Sequence, residues 1–165
     1  MRIFDKFDKA VQMLNKVFVF IACVFLILIV FACLMQILTR YIPGFAFVGT
    51  EELARYAFIW TTFLGISAGV GMGTHPAITA IKHFCPPNAQ KMFEAFVALA
   101  IIVMAYFLVV YGIKVTEQMS MQTSVSFRLN MAYVYLAPVV GGLGIALNAI
   151  NNLIIVFVPI KEQEV

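Results

Sequence analysis

The chain has 165 residues, of which 63% are hydrophobic and 12% charged, with a formal net charge of +3. Ordinary soluble proteins carry roughly 25% charged residues; here every Lys, Arg, Asp and Glu lies outside four stretches, 17–39, 56–81, 95–113 and 129–160, which together hold 100 residues. A soluble domain needs a charged outer face on nearly every element, so a water-soluble globule is excluded, and a small charge confined to tails and loops gives no basis for binding nucleic acid.

The N-terminal segment places Ile3, Phe4, Phe7, Val11 and Leu14 on one helical face, with Arg2, Asp5, Lys6, Asp8, Lys9 and Gln12 mostly on the other. This predicts a short amphipathic helix lying in the membrane interface, its basic residues toward anionic headgroups; a partly ordered tail is the plainer reading. The first span is predicted over 17–38, close to the ~20 residues that a crossing helix needs. A cleavable signal peptide fits poorly, because its apolar region is only about 7–15 residues long. Phe31 stands where a lipoprotein signal before Cys33 calls for a small residue, so the segment is expected to be retained.

The second span is predicted over 52–74, ending at His75-Pro76, and the third over 93–113. The fourth charge-free run is longer than one crossing requires. Its start, 129–135, holds Asn130, Tyr133 and Tyr135 and reads as interfacial lead-in. The helix proper is then 136–157, with Pro138 in its first turn, where a missing N–H costs little. The runs lack period-2 alternation and exceed the ~9–11 residues of a barrel strand. The expected fold is an all-α membrane protein with four transmembrane helices and the N-terminal interfacial helix, forming one integral membrane domain over 1–165. Seven Lys and Arg residues fall in the N-tail, second loop and C-tail against four in the first and third loops. That bias predicts both termini inside, in a multi-pass protein of a bacterial inner membrane.

The densest polar cluster is Thr50-Glu51-Glu52-Leu53-Ala54-Arg55, at the mouth of span two. A structural account suffices for the residue types: Thr50 caps the helix, two acids suit the helix dipole, and Glu51 pairs with Arg55. A functional account has the acids gripping a partner's basic residue or holding an adjacent loop, and nothing local separates the two. Gly65, Gly69 and Gly73 recur every fourth residue, with Ala68 beside them, a ridge that lets another helix backbone approach closely. Gly69-Val70-Gly71-Met72-Gly73 is no dinucleotide fingerprint, since it follows no strand.

Span four carries Gly141, Gly144, Asn148 and Asn152 on one stripe, with Asn151 alongside. Asparagine amides in hydrocarbon need partners, so the stripe should face protein or the interface; packing between helices or subunits is favoured over a polar substrate path. His75, His83 and Cys85 suggest a metal or haem, but neither histidine lies within a span and a zinc site needs more ligands at tighter spacing. Cys23 and Cys33 read as apolar filling. Trp60 and Phe63 read as lipid or interface aromatics.

No ionisable residue lies near any midplane, which counts against a self-sufficient pump and against a small multidrug-resistance exchanger. No broken helix or inverted repeat marks a transport site, and no catalytic constellation is present, so no enzyme activity and no cofactor are expected.

Arg40, Glu51-Glu52-Leu53-Ala54-Arg55-Tyr56, Phe58, Trp60, Phe63-Leu64-Gly65-Ile66-Ser67-Ala68 and His75 together resemble the signature of the DctQ-like small membrane subunit of TRAP (tripartite ATP-independent periplasmic) transporters. That family has an acidic pair entering the second helix, an F-L-G motif within it and a histidine at its end. Length, helix number and inside termini are similar too. The chain departs at Val48-Gly49-Thr50, where the family often has Trp, and at Gly71-Met72-Gly73-Thr74, where it often has a basic residue. The wording at Leu53-Ala54-Arg55 and Leu64-Gly65-Ile66-Ser67 is similar to the sialic-acid branch.

The resemblance implies a sodium-driven importer of an organic acid such as sialic acid or a C4-dicarboxylate. A large membrane subunit would carry the substrate and sodium sites, and a periplasmic binding protein would capture substrate. The small subunit would scaffold the first and help dock the second. Arg40, Glu51, Glu52, Arg55, Trp60, Gly65, Gly69, Gly73, Gly144, Asn148 and Asn152 are then candidates for partner contact, with membrane lipid around the rest. A homo-oligomeric small transporter or channel and a haem-bearing anchor subunit of a redox complex are the rival readings.

Overall fold

A computed structural model describes residues 2–42, 48–72 and 87–157. Gly73, His75, His83 and Cys85 lie outside the described residues. The elements in chain order are α1 (Arg2–Tyr41), α2 (Thr50–Gly71), α3 (Pro87–Met119), α4 (Ala132–Tyr135) and α5 (Ala137–Phe157). No strand occurs among the described residues. Four helical stretches are long and apolar enough to cross a membrane, α4 and α5 together making the fourth.

The expected N-terminal helix is present but is not a separate element. α1 runs unbroken for 40 residues, about 60 Å at 1.5 Å per residue, twice the ~30 Å of the hydrocarbon core. No Pro or Gly interrupts it, so nothing bends residues 2–16 away from the span. Its apolar side is also spent differently from expectation: Val11 is 4% exposed and packs inward rather than toward lipid.

Pro138 produces the break between α4 and α5. Proline has no N–H to donate to Val134 and crowds that carbonyl, so the regular helix is interrupted at Leu136. Helical hydrogen bonding continues on both sides, Leu136 N donating to Ala132 O at 2.9 Å and Val140 N to Leu136 O at 3.0 Å. The Thr116 hydroxyl of α3 lies 2.8 Å from both its own Gly112 carbonyl and the Tyr135 carbonyl. With one proton to give, it serves one of them at a time.

The helices do not close into a bundle. α1 packs on α2, α2 on α5 and α5 on α3, with a smaller contact of α1 on α5, while the backbone of α3 approaches neither α1 nor α2 closely among the described residues. The central place of α5 follows from its small residues, which are present on both sides. A methyl added to Gly141 would meet the Phe63 backbone of α2 at 2.9 Å, and one added to Gly142 would meet Leu108 of α3 at 2.7 Å. The core lies on the α3 side, where Ala105, Ile145, Ala149 and Val70 pack with Ile101 and Ile102. α1, at the edge of the row, leaves most of its apolar surface uncovered, which only lipid or another protein could tolerate.

Candidate functional site

Two polar centres tie the row together, one at each end. The first lies where α1 begins and α5 ends. Asn148 is 1% exposed and forms a reciprocal amide pair with Asn15 of α1, Asn15 Nδ2 donating to Asn148 Oδ1 at 2.7 Å and Asn148 Nδ2 donating to Asn15 Oδ1 at 2.8 Å. The same Nδ2 lies 2.9 Å from the Ser67 carbonyl of α2 and 3.0 Å from its own Gly144 carbonyl. Two protons thus serve three helices.

Asn152 Nδ2 donates to the Val70 carbonyl at 2.8 Å. Val70 stands in the last turn of α2, whose carbonyls have no partner within the helix, so a neighbouring side chain supplies the bond. Asn151 Nδ2 donates to Asp8 Oδ1 at 2.9 Å, and Gln12 Nε2 donates to Asp8 Oδ2 at 2.8 Å.

This seam requires close approach. Ser67 is 0% exposed, and a methyl on Gly144 would run into its hydroxyl and into the ring of Phe18. Gly71 lies equally tight against Asn15 and Asn148. The stripe of Gly144, Asn148 and Asn152 is therefore an internal seam. These residues are consumed by α1 and α2, which leaves Asn148 no surface for a partner subunit.

The second centre is at the opposite end. Thr50 is not the helix cap: Gly49 takes that position at φ 96°, with Leu53 N donating to Gly49 O at 2.9 Å. Glycine is required there twice over, by the left-handed φ and because a side chain would meet Ser126 at 2.9 Å. Glu51 pairs with Arg55 at 3.0 Å, both exposed, a surface contact of little energetic weight.

Glu52 does something else. Its carboxylate accepts from the buried Ser124 hydroxyl, from Ser126 N at 3.1 Å and from Val125 N at 3.3 Å. Within the loop, Met131 N donates to Gln122 O and Ser124 N to Leu129 O. Asn130 Nδ2 donates to Ser120 O, while its Oδ1 accepts from Ala132 N. Glu52 thus holds not the first loop beside it but the distant loop that leads into α4. Glu52→Ala is expected to leave the helices in place while amide exchange at Val125 and Ser126 quickens, because both amides lose their carboxylate acceptor. Unchanged exchange at those two amides would show that the loop does not depend on the carboxylate.

The remaining candidates are scattered. Arg40, in the last turn of α1, is exposed and has no ion-pair partner among the described residues. Trp60 stacks on Phe25 of α1 with centroids 6.0 Å apart, so it is an internal contact between α1 and α2. Gly65 and Gly69 have nothing within 4 Å of an added methyl. They line an apolar groove with Val19, Ala22, Leu26 and Met72. Thr61, also in the groove, donates its hydroxyl to Ala57 O and so adds no open polar group.

Reading the sequence alone missed Asp8, Asn15, Ser67 and Ser124. Asp8, Val11, Asn15 and Phe18 share one helical face, whereas the sequence pattern places Asp8 on the polar side and Val11 on the apolar side.

A family model described as tripartite ATP-independent periplasmic transporters, DctQ component, matches residues 26–157. A TRAP transporter small permease protein of Haemophilus influenzae is 24% identical over 142 residues, covering 86% of this chain and 88% of the relative. The sialic acid TRAP transporter permease protein SiaT, from another strain of the same species, is 30% identical over 79 residues. That second match covers 48% of this chain and 13% of the relative.

Proposed function

Because the chain belongs to the DctQ-component family of TRAP transporters, we propose that it is the scaffold on which a large transport subunit is held in the membrane. The chain is a TRAP small permease of the inner membrane, a transport component and not an enzyme, and the family implies association with a large permease subunit. The observation that carries the scaffold reading is where the polar groups go. Asn148, Asn151 and Asn152, the amides within span four, are all engaged by neighbouring helices, and none is left facing a path for substrate.

The SiaT match supports the same reading. A segment like this one occupies 13% of that permease, so there a short stretch of this kind is part of a much longer transport chain. Sodium coupling, an organic-acid substrate and docking of a periplasmic binding protein at the loop held by Glu52 complete the proposal. The termini lie inside, on the side favoured by the Lys and Arg bias.

Co-expression with neighbouring open reading frames should bring down a large hydrophobic protein of many helices, and this chain reconstituted alone should give no sodium-dependent uptake. Uptake by the chain alone would overturn the scaffold reading. Gly69→Leu should weaken the complex without unfolding the subunit, because its position opens onto space. Undiminished association would remove the α1–α2 groove as the partner face.

A further inference from the structure

We propose that Lys6, Lys9 and Lys16 form a binding stripe for anionic phospholipid headgroups on the outer side of α1. The three residues follow one another at helical spacing with Met13 and Phe20, in the order 6, 9, 13, 16, 20, and so share one face. All five are exposed, Met13 and Phe20 each at 70%. The opposite side of α1 carries Asp8, Val11, Asn15 and Phe18, which dock on the rest of the chain. The lysines are thereby turned away from the protein.

Among the described residues no ion pair engages these lysines. Asp8 is instead engaged by Gln12 and Asn151, and the ion pair among the described residues, Arg55 with Glu51, lies at the other end of the molecule. The three ammonium groups are thus open to counter-charge from surrounding lipid.

The continuation of the stripe identifies its source. Beyond Lys16 the same face runs through Phe20, Val24, Ile27 and Phe31, all exposed and all within the first charge-free stretch. Acyl chains must cover that surface, and the same lipids place their headgroups beside the lysines. Lys6 to Lys16 rises about 15 Å along the helix. Helix tilt and the flexible lysine stems bring that rise to headgroup depth. A lysine near an anionic leaflet contributes about fivefold in binding preference, an effect screened by salt.

The test uses the full-length chain, together with any subunit that co-purifies, in bilayers of phosphatidylcholine with spin-labelled phosphatidylglycerol or spin-labelled phosphatidylcholine as the probe. The wild type should favour phosphatidylglycerol, and raised salt should erase the preference. Lys6→Gln, Lys9→Gln and Lys16→Gln should each reduce the preference about fivefold at most, and the triple variant should abolish it. The single variants are at exposed positions and keep the test open should the triple variant fail to fold. A wild type without preference, or variants that retain it in full, would overturn the proposal. Loss of a co-purifying subunit on Lys→Gln substitution, with no lipid preference in the wild type, would assign the stripe to protein instead and likewise overturn it.

Discussion

Gly141→Ala is expected to destabilise the subunit by about 1–3 kcal/mol, although alanine favours a helix over glycine by about 0.5–1 kcal/mol. The added methyl would sit 2.9 Å from the carbonyl oxygen and 3.0 Å from the carbonyl carbon of Phe63. These are backbone atoms, so no rotamer change relieves the contact, and α2 and α5 must separate. Separation strains the bonds that depend on the same approach, from Asn148 to Ser67 and from Asn152 to Val70. Gly144→Leu should be worse, since it meets both Ser67 and Phe18. Gly65→Ala and Gly69→Ala are the matched controls: with nothing within 4 Å, they should be neutral or stabilising by about 0.5 kcal/mol. Reversible unfolding in detergent measures all four variants. Equal stability of Gly141→Ala and Gly69→Ala would contradict the seam.

The second large effect is expected at the amide pair. Asn148→Ala removes both bonds to Asn15 and the bond to Ser67, leaving the Asn15 amide without its partner. Single interhelical hydrogen bonds in membranes average about 0.6 kcal/mol, and an orphaned buried polar group costs about 1–3 kcal/mol. The expected loss is therefore about 2 kcal/mol. Asn15→Ala should cost less, because Asn148 keeps the Ser67 and Gly144 carbonyls. The double variant should cost less than the sum, with a coupling of about 1 kcal/mol. Strict additivity would mean that the two amides do not act together. Cross-linking between α1 and α5 near these residues adds a local readout, since loss of the pair should free the start of α1 before it disturbs α3.

Much of this architecture is legible without coordinates. The four charge-free stretches became the four membrane-length helices, and Pro138 marks a helix start that the structure shows as a one-residue break between α4 and α5. The i,i+4 pair of Glu51 and Arg55 also forms as their spacing suggests. Glu52, one residue along, was inseparable from Glu51 on sequence grounds, yet it reaches across to a loop more than seventy residues away. Asn148 was visibly in need of a partner. That Asn15 would supply it could not be read, because Asn15 lies outside the apolar run and 133 positions away.

What the sequence determined by itself is the number of helices and the exclusion of charge from the membrane, since an ionised side chain there is costly wherever it points. What only the tertiary structure decided is which side of each helix meets protein. Gly69 and Gly144 are alike in sequence, yet one opens on a groove and the other is wedged between Ser67 and Phe18. In water, hydropathy separates inside from outside. In a bilayer the lipid tails are as apolar as the core, so the hydrophobic pattern carries no such distinction, and close fit between small residues makes the choice.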